Sequence, residues 1–234
     1  MKRTILIILG GVIVVGLVAA YFLRFSPLLS SQRTRNLLAF LRNPDARKDW
    51  MTPALSRCDD APFLMPTSGY IGYLWDDSFR PGHRHSGIDI FGGGEAGEVP
   101  VYAAYDGYLT RLADWKSTVI IRVPSDPVNP GTQIWTYYTH LADKDGRSFI
   151  VEAFPPGTSE VFVKAGTLIG YQGNYSGTPG NPTGVHLHFS VVRDDGSGGY
   201  LNELDITNTN DPGPYFGLLL NNHAGGVTPV VCNP

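Results

Sequence analysis

From about Pro62 onward, short runs of β-forming residues alternate with turns, and no long segment keeps a helical period. This pattern restricts the body of the chain to a sheet-based architecture. Ile88 and Ile90 flank Asp89 in strand alternation; residues 99–104 lead through Asp106-Gly107 into 108–112 as strand, tight turn and strand. Residues 118–123 and 132–141 read as a second pair across a proline-rich loop at 124–131, and 161–163, 168–171 and 186–192 complete the set. The 28 glycines and 18 prolines supply the turns that so many short strands need. The expected fold is mainly β: a single antiparallel β-sheet or sandwich-like domain over 58–217, followed by a Gly/Pro/Asn-rich tail over 218–234.

The amino-terminal part is different in kind. Residues 5–23 carry no charge, and nineteen such residues are long enough to cross a bilayer as a helix. The expectation is a retained transmembrane signal anchor over 1–24; a cleaved signal peptide is the alternative, with Val18 and Ala20 suiting a cleavage site. Lys2 and Arg3 oppose Arg24, Arg33, Arg35 and Arg42, so flanking charge leaves the orientation open. A juxtamembrane linker follows over 25–57, with a short amphipathic helix stopped at Asn43-Pro44, acting either as a spacer or membrane-surface element or packed on the main domain.

Charge narrows the partners. Residues 1–50 hold eight Lys/Arg against two Asp, whereas the remainder holds ten against nineteen acidic residues. A net-acidic body excludes nucleic acid as the expected partner, because phosphate binding needs a basic surface. The only cysteines, Cys58 and Cys232, form an even count behind an export-type segment. An intramolecular disulfide is expected, with two separate thiols as the alternative.

Four of the six histidines fall in three short stretches: His85-Ser-Gly-Ile-Asp89, Tyr138-Thr-His140-Leu141 and His186-Leu-His188-Phe189. On a strand, side chains repeat every two residues, so His186 and His188 share one face while Leu187 and Phe189 share the other. Asp89, set between two isoleucines on a strand that packs into a core, needs a partner, because burying a free carboxylate is costly. A metal ion is one such partner; an arginine or a hydrogen-bonded turn is another. A catalytic zinc takes three protein ligands and keeps one position open. His85, Asp89 and either His186 or His188 meet that count, leaving the other histidine and His140 beside the metal for proton transfer. Period two places Tyr138 on the same face as His140.

These stretches and their order, together with Ala103-Ala104-Tyr105-Asp106-Gly107, Gly166-Thr-Leu-Ile-Gly170 and Gly184-Val-His-Leu-His-Phe, resemble lysostaphin/LytM-type zinc metallopeptidases over roughly residues 60–217. The resemblance implies one zinc ion per chain, bound by His85, Asp89 and His188, with His140 and His186 as catalytic histidines and Tyr138 lining the substrate site. It implies an endopeptidase cutting peptide bonds of bacterial cell-wall peptidoglycan, with zinc activating the attacking water and the two histidines assisting. With the anchor, it implies a single-pass protein of the cytoplasmic membrane with its catalytic domain outside the cytoplasm. A longer segment at 142–162 departs from the family pattern.

Two rival functions remain at this level. A non-hydrolytic scaffold or activator of other wall hydrolases would use the same groove, although such proteins should lack a metal ligand and none is missing here. A peptidase acting on a protein substrate is the other. Gly92-Gly-Gly94-Glu-Ala-Gly97 matches a dinucleotide-binding pattern, but 99–101 reads as a strand where that site needs a helix, so the stretch is a loop. The chain has no HExxH and no GxSxG.

Overall fold

The computed structural model describes residues 14–16, 32–77, 82–221 and 229–232. The predicted membrane anchor falls on 1–24 and thus lies outside the described residues except for 14–16; among the described residues no helix is long and apolar enough to cross a membrane.

Helix α1 spans Gln32–Arg42. The strands are β1 (Tyr70–Tyr73), β2 (Ile88–Phe91), β3 (Pro100–Tyr102), β4 (Gly107–Thr110), β5 (Val119–Val123), β6 (Ile134–Thr139), β7 (Val161–Val163), β8 (Leu168–Tyr171), β9 (Leu187–Arg193) and β10 (Thr209–Asn210), and a one-turn helix α2 covers Gly213–Phe216. One antiparallel sheet runs in the order β1-β2-β9-β6-β5-β4-β7, with β10 also pairing β9, and β3 and β8 form a separate two-stranded sheet. The mainly antiparallel β expectation agrees with this. The segments predicted around residues 88–90, 118–123, 132–141, 161–163, 168–171 and 186–192 each contain an observed strand, whereas β1, β10 and α2 carry no sequence signal strong enough to have been anticipated.

The sheet buries one face completely. Ile88, Ile90, Val119, Tyr138, Leu187 and Phe189 all lie in the main apolar cluster, joined there by Phe63, Tyr215 and Phe216. Antiparallel register then dictates what the opposite face carries. Asp89 pairs with His188, and His188 pairs with Thr139, so neighbouring strands bring these side chains side by side across the sheet.

The stretch expected to be a linker is in contact with this domain. Leu37 and Phe40 of α1 are buried against Tyr70 of β1 and Phe91 of β2, and the Phe40 and Tyr70 rings stack at 5.3 Å. Of the roles open for the helix, packing on the domain is the one observed. Cys58 and Cys232 form a disulfide that returns the chain end to the domain entry.

Candidate metal centre

His85, Asp89 and His188 converge on the face of the sheet opposite the main apolar cluster. His85 Nε2 lies 3.0 Å from His188 Nδ1 and 3.1 Å from Asp89 Oδ1, and His188 Nδ1 lies 2.8 Å from Asp89 Oδ1. All three residues are buried. Their convergence depends on Gly87. A Cβ there would stand 2.2 Å from the Phe189 carbonyl oxygen and 2.6 Å from Ser190 Oγ, so only glycine lets the His85–Asp89 segment lie this close to β9.

The second nitrogen of each imidazole settles its tautomer. His85 Nδ1 donates to the Leu74 carbonyl at 2.9 Å, which leaves the lone pair on Nε2. His188 Nε2 donates to Glu203 Oε1 at 2.8 Å, and Nδ1 faces Asp89. Glu203 Oε1 also accepts from Ser86 Oγ at 2.8 Å and Ser190 Oγ at 3.0 Å. Sequence reasoning missed Glu203 altogether. It lies fifteen residues beyond His188 in a loop, and no local pattern marks it.

Electrostatics shows what this cluster demands. Burial disfavours a charged His188, but hydrogen bonds to Asp89 and Glu203 overcome it and raise the imidazole to about 10. Burial would raise the Glu203 carboxyl, yet its bonding to His188 holds it down at about 2. Asp89 is likewise held well below the usual carboxylate range, burial being outweighed by His85 and His186. Two buried carboxylates and an imidazole lone pair thus draw a positive charge to one point. A divalent cation satisfies that demand, taking the place of the proton on His188 Nδ1. Two imidazole nitrogens and a carboxylate oxygen are also the donor set of catalytic zinc, so the residues fit the ion.

His140 and His186 stand beside this triad. Their rings lie 4.5 Å apart, and His186 Nε2 approaches Asp89 Oδ1 at 3.5 Å. His140 Nδ1 donates to the Tyr175 carbonyl and His186 Nδ1 to the Gly184 carbonyl, both at 2.7 Å, so each carries its lone pair on Nε2. Phe91 stacks on His186 at 4.8 Å. Burial, reinforced by His186 and His188, pushes the His140 imidazole down to about 3. His140 is therefore neutral near pH 7.

Tyr138 requires a correction. Its ring is fully buried in the core, and its hydroxyl accepts from Ala104 N–H at 2.9 Å. The register Tyr138↔Phe189 puts it on the core face of β6. Period two had tied it to His140, but β6 ends at Thr139 and His140 adopts a left-handed φ of 72°. That single turn swings the imidazole to the other side of the sheet. Tyr137 and Thr139 are the β6 residues that line the cleft.

The cleft over the histidines has a volume of about 770 Å³. Leu37, Leu41 and Tyr73 flank it on one side and Trp115, Lys116 and Tyr137 on the other.

No protein family profile matches the chain, and no curated protein does. Solved structures do. Lysostaphin, an antimicrobial peptidase from Staphylococcus simulans, is 19% identical with a TM-score of 0.41, covering 64% of this chain and 49% of its own. Its isolated catalytic domain gives 21% identity and a TM-score of 0.40, covering 64% and 90%. Several of the solved structures similar to this chain are lysostaphin- or LytM-type peptidases. The catalytic domain of the prophage-encoded M23 protein EnpA from Enterococcus faecalis, as a mutant, is similar at 22% identity with a TM-score of 0.37, covering 64% and 95%. The chain spans about half the length of full lysostaphin.

Proposed function

We propose that this chain is a zinc metalloendopeptidase of the lysostaphin/LytM type, hydrolysing peptide bonds of peptidoglycan. The observation that carries the reading is the triad itself: His85 Nε2, Asp89 Oδ1 and His188 Nδ1 lie within 3.1 Å of one another with two histidines alongside. The resemblance of the three histidine stretches to that family supports the substrate class.

His85, Asp89 and His188 would hold the ion. A zinc ion so held supplies Lewis acidity, polarising a carbonyl and making water a nucleophile near neutral pH. His140 and His186 act on the protons. Each is fixed by its Nδ1 bond to a backbone carbonyl and presents Nε2 for proton transfer, and one of the two takes the single proton of the attacking water there and passes it to the departing amine. Until that proton leaves, the Nε2–H that carries it donates toward negative charge developing on the carbonyl oxygen. Tyr137, Trp115 and the α1 side of the cleft orient the substrate chain.

The uncharged segment 5–23 would act as a membrane anchor, keeping the catalytic domain at the outer face of the cytoplasmic membrane, within reach of the wall. The test is incubation of the purified full-length chain with peptidoglycan and mass spectrometry of the soluble products. Fragments ending at a cleaved peptide bond are expected, and a chelator or His85→Ala should abolish them. Products cut in the glycan strands, or full activity after chelation, would overturn the reading.

A further inference from the structure

Helix α1 lies upstream of the region that resembles the peptidases, yet it touches both ends of the histidine cluster. At one end, Arg33 Nε lies 3.1 Å from Asp77 Oδ2, with both side chains largely buried. The same Asp77 oxygen accepts from Leu74 N–H at 2.7 Å, and the Asp77 carbonyl accepts from His85 N–H at 2.9 Å. Leu74 in turn offers its carbonyl to His85 Nδ1. The turn from Leu74 to Asp77 therefore grips His85 at both backbone and ring, and Arg33 is the cation that holds its carboxylate. At the other end, Leu37 and Phe40 pack on Phe91, whose ring stacks on His186. Gly72 leaves the room for this: a Cβ there would come within 2.7 Å of the Phe91 ring and 3.2 Å of Leu37 Cδ1.

We infer that α1 is part of the working site and that Arg33 is a positioning residue for His85, acting through Asp77 and Leu74. The inference rests on the metal reading above and adds to it an element outside the histidine motifs. Without the guanidinium, the buried Asp77 carboxylate loses its charge partner and the turn relaxes. The Leu74 carbonyl then no longer fixes the His85 tautomer, and metal affinity falls as it does when an outer partner of a ligand is removed.

Bulk electrostatics makes the opposite forecast. Removing a cation near a cation site lowers repulsion and should tighten binding. The sign of the change therefore discriminates. Full-length wild type, Arg33→Ala, Arg33→Lys and Arg42→Ala, purified in detergent and stripped of metal, are titrated with zinc against a chromophoric chelator. The titrations are run well below the melting temperature of each, followed by circular dichroism. Arg33→Ala should bind zinc roughly three- to tenfold more weakly, less than the loss on removing a direct outer partner. Arg33→Lys should regain most of the affinity, and Arg42→Ala, which removes a charge from the exposed last turn of the same helix, should match wild type. Equal or tighter binding by folded Arg33→Ala overturns the inference while leaving the metal reading intact. Failure of the wild-type chain to bind zinc sinks the metal reading and takes this inference with it.

Discussion

Glu203 and His188 meet through one contact, Nε2–H to Oε1 at 2.8 Å, and that contact decides which imidazole nitrogen faces Asp89. Carboxylates in this position orient a ligand imidazole and raise its basicity. Glu203→Ala should weaken zinc binding roughly 10–100-fold, with Glu203→Gln losing less because an amide oxygen can still accept. Competition against a chelator of known affinity measures both. Unchanged affinity in Glu203→Ala would remove Glu203 from the site.

Gly87 has no room for a side chain. Gly87→Ala should force the His85–Asp89 segment away from β9, because the added carbon meets backbone rather than a flexible side-chain end. The expected result is loss of zinc binding together with destabilisation of about 1–3 kcal/mol, as for other overpacked sites. Denaturant unfolding and the zinc titration should change together; a change in stability alone counts against the role given to Gly87.

His140 should separate binding from turnover. It touches none of the three ligand atoms, so His140→Ala should keep its zinc affinity while peptide release falls roughly 10²–10⁴-fold. Single-turnover hydrolysis beside a zinc titration checks both halves.

Metal-free protein should also respond to pH through His140. Its imidazole is pushed down to about 3 by burial, from 6.5 in the unfolded chain. Between those values the unfolded state binds a proton that the folded state does not, so stability falls as pH drops from 6.5 toward 3. The slope from this residue is at most about 1.4 kcal/mol per pH unit. His140→Gln should flatten the acid side of the stability curve; an unchanged curve argues against a lowered His140 imidazole.

The two tyrosines of β6 should behave oppositely. Tyr138→Phe leaves the Ala104 N–H without its acceptor inside the core, costing about 1–3 kcal/mol, with kinetic constants unchanged. Tyr137→Ala, on the cleft, should raise KM with little loss of stability. Paired melting curves and kinetics decide the assignment.

Reduction of Cys58–Cys232 should lower stability more than most disulfides do, because 174 residues separate the two cysteines. Chain entropy alone gives about 5 kcal/mol for a loop of that size. The Cys58→Ser/Cys232→Ser pair of substitutions should reproduce the effect in equilibrium unfolding.

The strand pattern was legible because period-two alternation and Gly/Pro turns are local. So was the pairing of His186 with His188, since their common face follows from the strand they open. Tyr138 was misplaced for an equally local reason. The same alternation that related it to His140 had no means of registering the left-handed turn at residue 140. Glu203 and Arg33 were invisible, because each reaches the site from a segment whose own sequence has no motif.

The sequence by itself determined the strands, the turns and the three histidine stretches, because each depends on residues within a few positions of one another. The tertiary structure alone decided which atoms meet. Register between β2, β9 and β6 set Asp89 beside His188, and Gly87 let two backbones come close enough for His85 to join them. Such encounters span a hundred residues of chain and depend on packing that no local periodicity encodes.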